Sequence, residues 1–239
     1  MRGLMKKMVY YSRTDKGNIR KNNEDSLYIK EFDDFLVLVI CDGMGGHKSG
    51  EVASNMAVKA VEKWKPDKNE DILKSLKKLV EDININIYLK SKTSDDLTGM
   101  GTTLSIAVIR NNDIYYAHIG DSRIYLFDDD LKQITSDHTL VAELIKKGVE
   151  VEEESYSNYI TRAVGVSSIE TPDLGRIELK LPYKVFLCTD GVTKYFTDDE
   201  LKVELKNKDD SEIVNRIVDK CLERGGKDNI TCILAKIGE

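Results

Sequence analysis

Three apolar, strand-like runs, Met8 to Ser12, Ser26 to Lys30 and Phe35 to Cys41, come before the first helical pattern. That order excludes the alternating strand–helix repeat of a doubly wound parallel sheet. Later runs at Thr103 to Arg110, Ile114 to Ile119 and Arg123 to Phe127 follow one another through short turns, as in "IYYAHIGDSRIYLF". Such hairpin spacing predicts antiparallel pairing. Lys184 to Thr189 and Ile230 to Ile237 complete the strand-like runs. Helical periodicity covers Gly50 to Trp64 and Asp71 to Leu89, with Pro66 between them, and a shorter stretch from Leu140 to Lys147 that ends at Gly148. Thr197 and Glu200 form a capping box ahead of Leu201 to Lys206. Ser211 to Glu223 is amphipathic and stops at Gly225-Gly226.

The 239 residues contain no repeat, no low-complexity tract and only three prolines, so a single domain over 1–239 is the economical organisation. A net charge of −6 without a basic half or tail argues against a nucleic-acid partner. The lysines between Lys59 and Lys92 alternate with acids and apolar residues, as on a solvated helix face. No apolar run approaches the ~20 residues of a membrane span. "MRGLMKKMVYY" lacks an apolar core of signal-peptide length. Cys41, Cys188, Cys221 and Cys232 are mutually distant in sequence and read as buried reduced thiols. A cytoplasmic location is expected.

"FLVLVICDGMGGHKSG" could precede either a phosphate-gripping loop or a metal-gripping carboxylate. A P-loop anchored on Lys48-Ser49 would need glycines where His47 and Asp42 stand, and a carboxylate in a phosphate nest repels the ligand. The nucleotide loop is therefore rejected. Asp42 and Asp190 each follow an apolar run, Asp121 lies in a turn between two runs, and Asp228 precedes "NITCILAKI". One Asp-Gly at a strand end is usually just a turn. Several carboxylates at one edge of a sheet core repel each other unless cations neutralise them. Oxygen donors, with only His47, His118 and His138 as histidines, suit Mg²⁺ or Mn²⁺ rather than zinc or copper. Two such ions sharing a carboxylate commonly serve phosphoryl chemistry, so the residues point to a metal-dependent hydrolase of phosphate esters.

In order along the chain, "TDKGNIRKNNED", "CDGMGGHKSGEVAS", "GMGTTLSIAVI", "AHIGDSRIYL", "SDHTLVAELIKKG", "ITRAVG", "CTDGVTKY" and "KDNITCIL" resemble the protein phosphatase type 2C (metal-dependent, PPM) family, compact bacterial type. The resemblance runs from about Tyr10 to Ile237. It implies an α+β fold: a four-layer α-β-β-α sandwich of two antiparallel sheets flanked by helix pairs, with a metal cleft at one end. It further implies that Asp42 bridges two Mn²⁺ or Mg²⁺ ions and that the Gly43 carbonyl binds one of them. Asp190 and Asp228 would complete the other, supported from behind by Glu24 and Asp25. Arg20 would receive the substrate phosphate, and a water activated between the metals would attack phosphorus. The implied activity is hydrolysis of phosphoserine and phosphothreonine in proteins, opposing a bacterial-type Ser/Thr kinase, by a monomer. The alternative is a catalytically weak phosphatase-like regulatory or binding module, against which the intact acids and Arg20 weigh.

Two positions depart from the family pattern. Met44 stands where many eukaryotic members place a histidine after Asp-Gly, leaving water as the proton source; His47 reads as a structural hydrogen bonder at the helix start. Lys194 stands where an acid often joins Asp121 at a third ion, so third-metal occupancy is expected to be weak. Residues 141–162 resemble a flap bordering the cleft and depart from the usual pattern near Ser155 to Tyr159, where substrate choice is expected to lie.

Overall fold

The computed structural model describes residues 8–46, 49–66, 70–149, 159–179, 182–207 and 209–238. One sheet has five strands in the order β1 (Met8–Asp15), β11 (Ile230–Ile237), β10 (Tyr183–Cys188), β7 (Arg123–Phe127), β8 (Leu131–Gln133). The second, six-stranded sheet runs β2 (Asp25–Glu31), β3 (Phe35–Met44), β5 (Leu104–Arg110), β6 (Asp113–Ile119), β9 (Asp173–Glu178), with β4 (Gly101–Thr102) on the end of β3. All pairings are antiparallel.

Strand β3 explains why the sheets stack with helices outside. Its side chains alternate between two apolar environments. Leu36, Leu38 and Ile40 join Ile233, Ala235, Val185 and Leu187 in the core between the sheets. Val37, Val39 and Cys41 face the opposite way, against α1 (Ser49–Lys63) and α2 (Ile72–Ser91). The outer face of the five-stranded sheet is covered by α5 (Asp198–Leu205) and α6 (Asp210–Glu223), through Leu201, Leu205, Ile213 and Ile217 on Phe186, Cys188 and Leu234. An uninterrupted apolar run is what a strand buried on both faces requires. Each such Leu, Ile or Val contributes roughly 1.5–3 kcal/mol on burial. The expected α-β-β-α sandwich is the observed architecture.

The expected elements stand within a few residues of their predicted limits. The capping box at the start of α5 is present, with Glu200 N donating to Thr197 Oγ1 at 3.3 Å and Thr197 N donating to Glu200 Oε2 at 3.0 Å. Helix α6 ends at Gly225-Gly226 as anticipated, Gly226 N closing onto the Cys221 carbonyl at 2.9 Å. One reading is corrected. "IYYAHIGDSRIYLF" is not a hairpin: β6 pairs with β5 and β9, and β7 with β10 and β8, so the turn carries the chain from one sheet to the other. Gly120 there has φ +112°, and an added Cβ would meet the Thr103 side chain at 2.6 Å. Strands β8 and β9 had no counterpart in the sequence reading, because these edge strands are half exposed and lack an apolar run.

Of the anticipated flap, α3 (Leu140–Lys146) and the Thr139–Ile160 bridge are described, whereas 150–158 lie outside the described residues, and with them Ser155 and most of the divergent stretch. His47 also lies outside.

Candidate active site

Both sheets deliver residues to a cleft of about 740 Å³ at one end of the sandwich. Arg20, Glu24, Asp42, Gly43, Asp121, Asp190, Lys194 and Asp228 all line it. Asp25 sits directly behind Asp42 as its cross-strand partner in β2. Every site residue anticipated from sequence is therefore in or against one cleft, although Arg20 and Asp228 are 208 positions apart.

Asp42 lies near the end of β3, anchored at its backbone. Its N–H donates to Thr103 Oγ1 at 2.8 Å, and its carbonyl accepts from Thr103 N at 2.9 Å and Thr102 Oγ1 at 3.0 Å. The Asp121 turn brings Ser122, whose hydroxyl is 2.8 Å from Thr103 Oγ1, onto the same threonine. Asp190 opens the one-turn helix α4 (Asp190–Thr193). This helix lies so close to the start of β11 that a Cβ on Gly191 would stand 1.8 Å from the Asn229 carbonyl oxygen. Gly43 and Gly50 make a similar approach, with a Cβ on Gly43 falling 2.2 Å from the Gly50 carbonyl oxygen. The Asp-Gly pairs therefore serve backbone contact as well as turning.

The electrostatics follow from this crowding. Burial foremost, then the charges of Asp25, Asp190, Asp121 and Asp228, pushes Asp42 well above the ordinary carboxylate range, although part of its surface opens to the cleft. Burial lifts Asp25 to about 7 despite hydroxyl donation to its Oδ2 from Thr231 at 2.6 Å and Thr189 at 3.0 Å. Burial and then Asp190 lift Asp121 to about 7. Glu24 is raised as well, chiefly by burial. These acids cannot all ionise together without positive charge nearby.

The donor set fits hard divalent cations. Asp25 Oδ1, Asp121 Oδ1 and Asp190 Oδ1 are buried without a hydrogen-bond partner, which is costly unless something accepts their lone pairs. As they stand, no three acidic, histidine or cysteine side chains among the described residues are gathered to hold one ion. Cationic side chains occupy the carboxylates instead. Lys194 Nζ is 2.6 Å from Asp190 Oδ2 and 2.7 Å from Asp228 Oδ2, and Arg20 is 2.8 Å from Asp228 Oδ1. Lys194 brings its positive charge to the Asp121 side of the cleft, as expected, where it draws the Asp121 carboxyl down against the lift from burial and Asp190, and its ammonium spans Asp190 and Asp228.

A family model described as protein phosphatase 2C matches residues 17–235. The chain belongs to the protein phosphatase 2C family. It is similar to the serine/threonine phosphatase stp of Listeria monocytogenes serotype 4b (strain F2365), 36% identical over 236 residues that cover 94% of each chain. The crystal structure of the Mycobacterium tuberculosis serine/threonine phosphatase PstP/Ppp superposes with a TM-score of 0.88 at 34% identity, covering 97% of this chain and 99% of that one. The catalytic domain of the phosphatase PstP in complex with two manganese ions superposes at 0.86 and 35% identity, with the same coverage.

Several supporting residues of this 2C-family member escaped the sequence reading. Asn229 accepts from Glu24 N at 2.9 Å and donates to the carbonyls of Lys16 and Asn22, each at 2.9 Å, so it ties the loop bearing Arg20 to the base of β11. Thr189 and Thr231 fix Asp25, and Thr103 fixes Asp42. For Asn229, Thr189 and Thr231 the only signal was nearness to Asp190 and Asp228; Thr103 is far from every site acid in sequence. The four cysteines are free and buried, and burial raises their thiols, Cys221 to about 12, so none is available as a nucleophile.

Proposed function

We infer that this chain is a metal-dependent protein phosphatase that hydrolyses phosphoserine and phosphothreonine. The observation that carries this reading is the convergence of Asp42, Asp190 and Asp228 on a cleft whose rim bears Arg20. Asp42 with the Gly43 carbonyl, and Asp190 with Asp228, would hold two divalent ions, Mn²⁺ or Mg²⁺, with Asp121 contributing to a weaker third. Such ions lower the pKa of an attacking water and neutralise charge on the phosphoryl oxygens. The PstP complex with two manganese ions supports that choice of metal.

The chain's own residues supply the rest. Arg20 offers a planar fork to two phosphate oxygens, exchanging its ion pair with Asp228 for one with substrate, and stabilises charge that grows in the transition state. Asp25 lies behind the liganding acids, held by Thr189 and Thr231, and Glu24 supports them from the cleft wall. Met44 lines the cleft and has no proton to give, and His118 and His138 are buried, so protonation of the departing serine or threonine oxygen falls to water in this reading. The open cleft, bordered by Tyr159 and Ile160, admits a phosphorylated side chain presented on a protein surface. We read 1–239 as one catalytic domain, with the flap over 141–162 governing substrate choice.

Phosphorylated proteins are the substrates of this reading, and a cognate Ser/Thr kinase is the enzyme it opposes. Among the described residues no helix is long and apolar enough to cross a membrane. A cytoplasmic monomer that engages neither membrane nor nucleic acid is part of the proposal. The alternative of a catalytically weak binding module draws no support from a site with all its acids in place.

The test is phosphate release from phosphothreonine and phosphoserine peptides with and without Mn²⁺, in the native chain and in Asp42→Asn. Turnover that needs metal and disappears in the variant is expected. Undiminished turnover after exhaustive chelation overturns the reading.

A further inference from the structure

Lys194 follows Asp190 by one helical turn, its backbone N–H capping α4 on the Asp190 carbonyl at 2.9 Å. The side chain then folds back into the cleft rather than out to solvent. Its ammonium reaches Oδ2 of Asp190 at 2.6 Å and Oδ2 of Asp228 at 2.7 Å, adding a side-chain link to the backbone bond that Thr189 N, one residue before α4, makes to the Thr231 carbonyl at 3.0 Å. The side chain is 35% exposed and the two carboxylates only 19% and 14%. The pair is thus better shielded than an ordinary surface bridge, which is worth little. Asp228 is doubly engaged, since its Oδ1 also accepts from Arg20 at 2.8 Å and from Asn229 N at 2.9 Å. Asp190 retains a buried, unpartnered Oδ1.

We propose that Lys194 is a built-in counter-cation that holds Asp190 and Asp228 together and that a divalent ion must displace in order to bind, so that it sets the chain's metal affinity. The proposal rests on the cleft being the metal centre. An ammonium and a divalent ion drawing on the same carboxylate oxygens compete for lone pairs and repel each other as like charges. Lys194 therefore acts in two directions. It keeps the acidic edge assembled when metal is scarce, and it weakens metal binding when metal is offered. An acid at position 194 would reverse both effects.

The experiment is calorimetric titration of Mn²⁺ into the full chain, beside thermal melting in chelator, for the native protein, Lys194→Met and Lys194→Arg. Lys194→Met is expected to bind Mn²⁺ about tenfold more tightly, as for loss of one like charge a few ångströms from the ion. Its Tm in chelator is expected to fall by several degrees, with the deficit removed by saturating Mn²⁺. Lys194→Arg keeps the charge and is expected to stay within about threefold of native affinity. Should Lys194→Met not fold in chelator, folding rescued by Mn²⁺ supports the proposal, and Lys194→Gln supplies the affinity. A Met or Gln variant that binds Mn²⁺ no more tightly than native, or that melts unchanged in chelator, overturns it. Failure of the native chain to bind Mn²⁺ or to turn over with it defeats the metal reading itself, a different result.

Discussion

Gly191→Ala isolates position from chemistry, because the altered residue carries no reactive group. An alanine Cβ there would stand 1.8 Å from the Asn229 oxygen and 2.9 Å from its carbonyl carbon. Real Cβ atoms do not approach closer than 3.0 Å, so the gap must open by about 1.2 Å. Both partners are backbone, and no rotamer change relieves the clash. The helix bearing Asp190 and the strand start bearing Asp228 are therefore pushed apart by several times the roughly 0.2 Å within which ligand distances hold. A shift of about 1 Å at a reacting centre costs on the order of 100-fold in rate. Overpacking of this kind destabilises by about 1–3 kcal/mol, a Tm loss of roughly 2–12 °C for a chain of this size. Steady-state kinetics on a phosphothreonine peptide, calorimetric Mn²⁺ binding and a melting curve read out the three consequences. Gly46→Ala is the control from the same end of the sandwich, since a Cβ there meets nothing within 4 Å. If Gly191→Ala keeps native kcat/KM and Mn²⁺ affinity within twofold, the backbone contact does not position the two aspartates and the reasoning fails.

Arg20→Lys exchanges a planar fork for a point charge and is expected to lower kcat/KM by about tenfold or more, with kcat falling as well as KM rising, without changing Mn²⁺ affinity by calorimetry. Asn229→Ala removes three side-chain hydrogen bonds to the loop bearing Arg20, and is expected to cost roughly 2–4 kcal/mol in urea unfolding and to raise KM. Burial, aided by His138, holds the His118 imidazole at about 3 against an ordinary 6.5. The folded chain thus binds fewer protons than the unfolded one, and the associated stability is present above pH 6.5 and lost as pH falls towards 3. Because that loss is on the order of 5 kcal/mol, His118→Asn is expected to flatten the acid limb of stability against pH, and an unchanged limb would contradict the assignment.

The sequence by itself determined the antiparallel α+β class, the helices and the identity of the acids. Runs such as Phe35 to Cys41 can satisfy their apolar side chains only as strands covered on both faces, and the Thr197–Glu200 box and Gly225-Gly226 mark helix ends through local hydrogen bonding. Resemblance to a family then assigned roles to Arg20, Asp42, Asp190 and Asp228 that residue types alone left open. Sheet membership was not legible: the turn at Gly120-Asp121 has hairpin length, and only long-range pairing with β5 and β10 decides that it crosses between sheets. The edge strands β8 and β9 were invisible because their backbone partners, not their side chains, make them strands. Likewise, the i,i+4 spacing of Asp190 and Lys194 is local, but nothing local announces that Lys194 also reaches Asp228, or that Asn229 braces the Arg20 loop. Local patterns encode burial and turn chemistry, whereas which charges face one another across the cleft depends on how distant strands pack, and that is settled only in three dimensions.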